Sequence, residues 1–439
     1  MLAVAQWLAN NLFGQPAFLI GLIVLVGLLV QKKTASQVIS GTLKAVVGFL
    51  IIGTGAGAIV NSLLVFQPMW AEVFGLQQQA LSNFMGFETF SQKYGGAVAL
   101  VMTFGFLINV LLARFTRFKY IYLTGHMMFW TTAIWMGVVL DSLGSGTTVN
   151  TWGLIAFFSV FMGLYWTLQP ALTQPFMRKV TGGDDIALGH TSASVAVLGA
   201  LAGQMFGNKE QDAESLQLPK GLDFLKDSNV VIALLMGILY VIGAAIVGAR
   251  STPAALELVK KAGQNSFILY SLQEAFKFAG GIAVVLFGVR LLIGEIVPAF
   301  RGIATKIVPD ARPALDCPVV YPYAPTASIV GFLGAFVASL VWLVVLGKTV
   351  GYVFVPTMIV LFFHAATAGV FGNATGGLRG AFLGGVITAT VVAWGQWLMV
   401  TRLLPTTIPD TAMWAADSDM FLLGPLVKLL GGVLRFLFV

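Results

Sequence analysis

The sequence predicts an all-α integral membrane protein of about eleven transmembrane helices, built as an inverted repeat of five plus five helices and one more. The observations behind this prediction are compositional: 58% of the 439 residues are hydrophobic, 10% are charged, and the mean hydropathy is +0.89. Soluble domains carry roughly a quarter charged residues, so lipid rather than water must cover much of this chain. The 50 glycines suit close helix packing in a bilayer.

Apolar runs long enough to cross the hydrocarbon core, about 20 residues each, follow one another along the chain. The first five predicted spans are Ala17–Gln31, Leu43–Phe66, Gly95–Ala113, Tyr120–Leu140 and Thr151–Leu168. A shorter run, Ser192–Phe206, is predicted to be re-entrant or interfacial. The next five spans are Val230–Gly248, Gly280–Val297, Ala327–Leu346, Tyr352–Phe371 and Leu378–Val400, and Met420–Val439 forms a last span or interfacial helix.

The two sets of five spans are separated by a near-constant offset in sequence. Five spans per copy place the second copy upside down in the membrane, an arrangement in which transporters hold their solute between the repeats. We therefore divide the chain into a first repeat with the re-entrant segment (1–210), a cytoplasmic linker (211–229), a second, inverted repeat (230–400) and a C-terminal helix (401–439).

Basic residues predict the orientation in a bacterial cytoplasmic membrane. Loop lysines and arginines favour the cytoplasm, which places the N-terminus outside and the following residues inside: Lys32, Lys33, Arg114, Arg117 and Arg178. The topology of 249–266 stays open, because its basic residues fall on the predicted outer side. The net charge of +7 is divided among loops between apolar runs, so nucleic-acid binding is not predicted.

Ionisable side chains at membrane depth are costly and are functional candidates for that reason. The sequence holds three histidines, His126, His190 and His364, in or beside predicted spans, and Asp316 lies where nearby prolines break the helix. The structural alternative to a functional role is that each histidine is bonded to a backbone carbonyl and that Asp316 caps the eighth span. No nucleotide or zinc motif and no nucleophile elbow is present, so no metal or cofactor is predicted.

Several short segments occur in order along nearly the whole chain: Thr124-Gly125-His126-Met127, Leu188-Gly189-His190, Leu218-Pro219, Asp316-Cys317 and Gly369-Val370-Phe371. In these segments and their spacing the chain resembles the IIC membrane component of the ascorbate-type phosphoenolpyruvate-dependent phosphotransferase system.

The resemblance implies a homodimer in which each protomer has a scaffold (V-motif) domain and a moving core domain, with elevator-type alternating access. It implies that a separate IIB protein, carrying a phosphocysteine and charged by a IIA protein, phosphorylates the solute. It also implies that His126, His190 and Asp316 contact ascorbate. Asp316 is our candidate for the group that orients or deprotonates the accepting hydroxyl.

Four further positions are candidates for solute contact because they differ from the family pattern. The resemblance implies glutamines where this chain has Trp130 and Thr191, and a threonine–tyrosine pair where it has Asn83 and Phe84. Trp130 offers a stacking face that ring-shaped solutes use. The predicted function is a permease for ascorbate or a related sugar-like solute. The alternative is a transporter of the same fold that is uncoupled or driven by an ion gradient. Whether the chain is itself an enzyme is left open, since IIB performs the phosphoryl transfer.

Overall fold

The computed structural model describes residues 16–76, 83–144, 146–216, 228–306, 308–352, 354 and 356–439. The segment Leu218-Pro219 and most of the predicted linker lie outside these residues. The described chain is mostly helical, as expected for a multi-pass membrane protein. Four of its helices are long and apolar enough to span a bilayer: Lys93–Phe115, Thr151–Thr181, Pro325–Thr349 and Ile359–Leu403. The total number of spans and the inverted repeat stay predictions.

The elements follow one another in this order. Up to residue 216 they are α1 (Pro16–Val30), α2 (Ala35–Val73), α3 (Phe87–Phe115), β1 (Tyr120–Tyr122), α4 (Gly125–Leu143), α5 (Thr151–Thr181), β2 (Ala187–Leu188), α6 (Ala193–Phe206) and a 3₁₀ turn (Ala213–Ser215). From residue 228 they are α7 (Ser228–Gly248), α8 (Pro253–Lys260), α9 (Phe267–Lys306), β3 (Arg312–Leu315), a 3₁₀ helix (Cys317–Tyr323), α10 (Pro325–Thr349), α11 (Met358–Leu398), a π-helical turn (Met399–Leu403), α12 (Pro409–Ala415), α13 (Ser418–Val433) and a 3₁₀ turn (Arg435–Leu437).

Four helices, α1, α2, α7 and α9, pack mainly on one another, and we call them the frame helices. The long helices α2 and α9 lie along each other, and Lys44 pairs with Glu295 across them at 3.1 Å. In the interior, the Ser62 hydroxyl lies 2.6 Å from the Tyr240 hydroxyl and donates to the carbonyl of Glu274 at 2.7 Å. These bonds satisfy polar groups that would be costly to bury alone, and they tie α2, α7 and α9 together.

A second set, which we call the site helices, comprises α3 to α6 and α10 to α13. Here α11 packs closely on α6 and α10, which requires glycine at the crossings. A Cβ atom at Gly203 would lie 2.6 Å from the carbonyl oxygen of Gly372. Helix α11 has non-helical backbone at Gly376 and at Gly377, where φ is 60°. This is the interruption that the sequence predicts between the ninth and tenth spans.

The site helices also carry a feature that the all-α expectation lacks, a three-stranded parallel sheet in the order β1-β3-β2. The predicted fourth span, Tyr120–Leu140, is therefore wrong at its start, because Tyr120–Tyr122 pairs with β3 and α4 begins only at Gly125. The amide of Gly189 donates to the carbonyl of Leu315 at 2.7 Å, extending the pairing past β2. All three strands end at the same edge of the sheet.

Candidate solute-binding site

Three of the predicted site residues follow the three strands and meet at this shared edge. His126 lies in the first turn of α4, four residues after β1, while His190 and Asp316 follow β2 and β3 almost directly. The His126 Nε2 atom is 3.7 Å from Asp316 Oδ2, and the His190 Nε2 atom is 3.6 Å from Asp316 Oδ1. The three side chains therefore lie close together, and parallel strand pairing is the reason for it; that they bind a solute stays a prediction.

The local sequence around Asp316 fixes the direction of its carboxylate. Asp316 is the N-cap of the 3₁₀ helix Cys317–Tyr323, and its Oδ1 accepts the amide proton of Cys317 at 2.7 Å. The Tyr321 hydroxyl anchors the same turn by donating to the carbonyl of Phe363 at 2.8 Å. The plainer interpretation of Asp316 as a cap is therefore correct in part, although the capped helix precedes α10. The cap leaves Oδ2 directed at His126.

The hydrogen bonds of His190 assign its tautomer. Its Nδ1 atom accepts the backbone N–H of Ser192 at 3.1 Å, so the neutral ring carries its proton on Nε2, the nitrogen that faces Asp316. The His190 side chain is 4% exposed, whereas those of His126 and Asp316 are 21% and 13% exposed. The cluster is therefore most accessible on the side of His126.

The distances between the two histidines and Asp316 leave room for a ligand atom between them. Both histidine–carboxylate separations exceed the range of about 2.7–3.2 Å for a direct hydrogen bond. A hydroxyl group placed between them could accept from a histidine and donate to Asp316. One ligand atom from each of the three residues also lies within 4.8 Å of the others, close enough to share a metal ion. That no metal is used remains a prediction.

Aromatic rings lie beside this cluster. Trp130 is one helical turn beyond His126 on α4, so both project from the same face. Its ring lies 5.1 Å from that of Phe129 and 5.3 Å from that of Phe87, measured between centroids. Sequence reasoning identified Trp130 but missed Phe87, whose position at the start of α3 gives no signal of its own.

The remaining predicted residues lie elsewhere. Asn83 is exposed with a φ of 57°, and Phe84 is half-buried, both in the turn before α3. Among the described residues, neither Asn83 nor Phe84 makes a hydrogen bond, ion pair or ring contact with His126, His190 or Asp316, and their contact with a solute stays a prediction. Thr191 is fully buried, and its hydroxyl is directed at Asp417 Oδ2 and at the sulfur of Met127, which is 2.9 Å away.

A second histidine–aspartate pair lies directly behind the first. The ring of His364 packs edge-on against that of His190, with 4.9 Å between centroids, and its Nε2 atom is 3.6 Å from Asp417 Oδ2. We call His190–Asp316 the open pair and His364–Asp417 the buried pair. Sequence analysis left His364 without a role and did not single out Asp417. The available signal was an acidic residue at the start of a long apolar run.

The opposite edge of the sheet is held by a surface ion-pair group. Asp184 precedes β2, and its carboxylate bonds to Arg178 Nε at 2.9 Å, to Gln174 Nε2 at 2.7 Å and to the guanidinium of Arg312 on β3. The hydrogen bond from Arg178 is the largest cause that lowers the pKa of Asp184 below its usual value. This group ties α5 to β3 at the strand starts, far along the sheet from the cluster.

Comparison with known proteins gives two matches. A family model, EIIC-GAT, described as the sugar-specific permease component of the PTS system, matches residues 11–419. The chain is also similar to a Mycoplasma pneumoniae protein described as the ascorbate-specific PTS system EIIC component. The two are 27% identical over 419 residues, which cover 85% of this chain. The chain spans 63% of the length of that relative. Both matches confirm the resemblance drawn from the sequence segments.

Proposed function

This chain belongs to the EIIC-GAT family of sugar-specific permease components of the phosphotransferase system, and we propose from this premise that it imports ascorbate or a related sugar-like solute. In this proposal separate IIA and IIB proteins supply the phosphoryl group, and IIB transfers it to the solute at the cytoplasmic face. The observation that carries the proposal is the meeting of His126, His190 and Asp316 at one sheet edge, in a chain of this family.

The chemistry of the cluster suits a polyhydroxylated solute. The His190 Nε2–H is a donor and each Asp316 oxygen is an acceptor. The histidine–carboxylate separations of 3.7 Å for His126 and 3.6 Å for His190 leave the groups close together without a direct hydrogen bond. A solute hydroxyl placed between them could accept from a histidine and donate to Asp316, and a hydrogen bond to a charged group contributes about 1.5–3 kcal/mol. The exposed side of His126 is where we place the entry to the site.

Trp130 supports a solute with a flat or ring-shaped face. Its indole lies on the same side of α4 as His126, and sugar rings stack on such faces. The neighbouring rings of Phe87 and Phe129 hold the indole in place. We therefore assign Trp130 to solute contact. Contact from Thr191, Asn83 and Phe84 stays a prediction of the family pattern.

Phosphoryl transfer requires the accepting hydroxyl to lie in line with the phosphocysteine and charge to be neutralised on the transferring group. Asp316 is the acidic group of the cluster, and its Oδ2 is not used in capping. We assign it to orient or deprotonate the accepting hydroxyl, the role of a general base.

The grouping of helices supports an elevator mechanism. The frame helices draw on both halves of the chain and so do the site helices, as expected when two inverted repeats interlock. We propose that the frame helices form the scaffold of a homodimer and that the site helices carry the solute across. The proposed orientation keeps the N-terminus outside, with Lys32 and Arg114 on the cytoplasmic side.

One experiment tests the proposal directly. The purified protein is reconstituted into liposomes, and uptake of labelled ascorbate, pentitols and hexitols is measured with and without phosphoryl donor proteins on the cytoplasmic side. We expect one solute to accumulate as its phosphate only when the donors are present. Asp316→Asn serves as the site control, and empty liposomes give the background.

The outcomes separate the proposal from its alternative. Uptake that follows an imposed proton or sodium gradient without donors would favour the gradient-driven transporter. Facilitated equilibration with neither donors nor a gradient would favour an uncoupled carrier. Absence of uptake for all three solute classes, in protein that is folded and inserted, would contradict the proposed solute class.

A further inference from the structure

Three consecutive residues at the start of α13, Asp417-Ser418-Asp419, contact the segment that carries His190. All three are buried, with 1%, 0% and 3% of their surface exposed. The amide of Asp419 donates to the carbonyl of Thr191 at 3.0 Å, and the Asp419 carboxylate accepts from the amide of Ser194 at 2.8 Å. The N-terminal turn of α13 therefore fixes the backbone on the C-terminal side of His190.

Asp417 makes a different set of contacts from Asp419. Its Oδ2 accepts from the hydroxyl of Thr191 and lies 3.6 Å from His364 Nε2. Its Oδ1 is buried and has no hydrogen-bond partner of standard geometry among the described residues. Among those residues His364 is the one basic side chain within 4.0 Å of this carboxylate. A buried carboxylate needs such a partner, so Asp417 and His364 are held together.

The same contacts orient the ring of His364. Its Nδ1 lies 2.8 Å from the Ser418 hydroxyl, which donates to it if the neutral ring carries its proton on Nε2, towards Asp417. The rings of His364 and His190 then pack edge-on, with 4.9 Å between centroids and an interplanar angle of 67°. Asp417 thus reaches His190 by two routes, through the His364 ring and through Thr191.

We propose that Asp417 is a positioning residue of the solute site, which holds Thr191 and His364 and through them sets the ring of His190 against Asp316. This proposal rests on the proposed function, because it assumes that His190 contacts the solute. Asp417 itself does not touch the solute, because Thr191 and His364 lie between it and the open pair. The plainer interpretation is that Asp417 is only the N-cap residue of α13, a position that asparagine would fill equally well, although the Asp417 side chain makes no capping hydrogen bond there.

The test uses Asp417→Asn, which keeps the size of the side chain and an acceptor oxygen for Thr191 but removes the charge. Because the chain contains only three histidines, ¹⁵N-histidine labelling gives a spectrum that single substitutions can assign. We expect the imidazole signals of His364 and His190 to shift and those of His126 to change least. We expect solute affinity to fall roughly ten- to hundredfold, the scale of a small misplacement in a bound geometry.

Two further variants keep the test decisive if Asp417→Asn folds poorly. Thr191→Val removes the hydroxyl at constant shape and should reproduce the shift of the His190 signals. Thr191→Ser keeps the hydroxyl and should give the wild-type spectrum. Asp410→Asn, in the nearby helix α12, is the matched control and should change neither the spectrum nor the affinity.

Unchanged histidine signals and unchanged affinity in Asp417→Asn would overturn the proposal and leave Asp417 as a cap. A loss of affinity with unchanged signals would also overturn it, since Asp417 would then act on the solute directly. The imidazole spectrum is recorded without solute. It therefore decides the positioning role even if the unaltered protein binds none of the proposed solutes, a result that would count against the proposed function alone.

Discussion

The open pair and the buried pair have nearly the same geometry and different surroundings. Asp316 and Asp417 each lie 3.6 Å from the Nε2 atom of a histidine, but the Asp316 side chain is 13% exposed and that of Asp417 is 2% exposed. Asp316 has a second histidine, His126, within reach, while Asp417 has the hydroxyl of Thr191.

This difference separates two tasks. A pair that reaches solvent can exchange its partners for a solute at modest cost, because water or solute hydroxyls replace the lost contacts. A fully buried pair cannot, since removing one partner leaves a buried polar group unmatched, which costs about 1–3 kcal/mol. We therefore expect substitutions in the open pair to change transport and those in the buried pair to change stability and positioning.

The largest expected effect comes from removing the charge of Asp316. Asparagine is a good cap, so Asp316→Asn should fold and insert with a loss of about 1 kcal/mol or less, yet lose phosphorylation-coupled uptake by roughly a hundredfold or more, the scale of general-base removal. Initial uptake rates in donor-supplied liposomes measure this.

The matched control is Asp212→Asn, which changes another aspartate that caps a 3₁₀ turn, by accepting from the amide of Glu214 at 3.0 Å. It should leave uptake unchanged. Normal coupled uptake by well-expressed Asp316→Asn would show that Asp316 acts only as a helix cap. The open pair and the buried pair would then differ in exposure but not in function.

A smaller and more discriminating effect is expected from exchanging histidines for glutamine. His126→Gln should weaken solute binding by roughly ten- to hundredfold, the 1.5–3 kcal/mol of a hydrogen bond to a charged group, without altering the melting temperature. His364→Gln should instead lower thermal stability by about 1–3 kcal/mol, because Asp417 and Ser418 lose a buried partner.

Calorimetric binding and thermal unfolding on the same two preparations separate these results. Equal losses of stability in both variants would show that the exposure of His126 and Asp316 does not spare the fold, and the distinction between the Asp316 and Asp417 surroundings would fail.

The sequence predicted the open pair well and the buried pair poorly, for physical reasons. His126, His190 and Asp316 stand out because each is ionisable and lies in a family segment. Their meeting depends on strands of two to four residues. Such strands are too short to show an alternating pattern, so the sequence predicts a helix at Tyr120–Tyr122. Asp417 makes its key contact with Thr191, 226 residues away in sequence, and no local pattern encodes such a pairing.

Helix positions were predicted more reliably, because apolar runs mark them directly. The predicted interruption after the ninth span corresponds to Gly376 and Gly377, where a Cβ atom would meet backbone carbonyls of neighbouring segments. The length of the frame helix α2 was underestimated: it runs from Ala35 to Val73, beyond the predicted span Leu43–Phe66 at both ends.

A moderate effect is expected beside the open pair, at Trp130. Trp130→Ala should weaken binding of a ring-shaped solute by about two- to tenfold, in line with roughly 0.5–1.5 kcal/mol for an aromatic contact beyond its area. Trp130→Phe should keep most of the affinity. A linear polyol of similar size should be affected less than a ring. Equal losses for both solutes would mean that Trp130 acts by packing against Phe87 and Phe129 rather than by stacking on the solute.

The smallest effect is expected at Asp184, a third carboxylate, which is bound to arginines on the surface and so extends the comparison beyond both pairs. Its side chain is 36% exposed, so its ion pairs should contribute about 1 kcal/mol or less, and Asp184→Asn should leave uptake within about twofold of wild type.

Because the pKa of folded Asp184 is lowered, chiefly by its bond to Arg178, its contribution to stability is complete above the unfolded pKa of about 3.9 and is lost as the pH falls through the folded value. The difference in melting temperature between wild type and Asp184→Asn should therefore be present at neutral pH, shrink in acid, and diminish in high salt. The exposed neighbour Asp185 is the control, since Asp185→Asn should show no such difference. A gap that instead grows on acidification would mean that Asp184 is stabilised in its protonated form, and the sheet would then be held at its strand starts by something other than this ion pair.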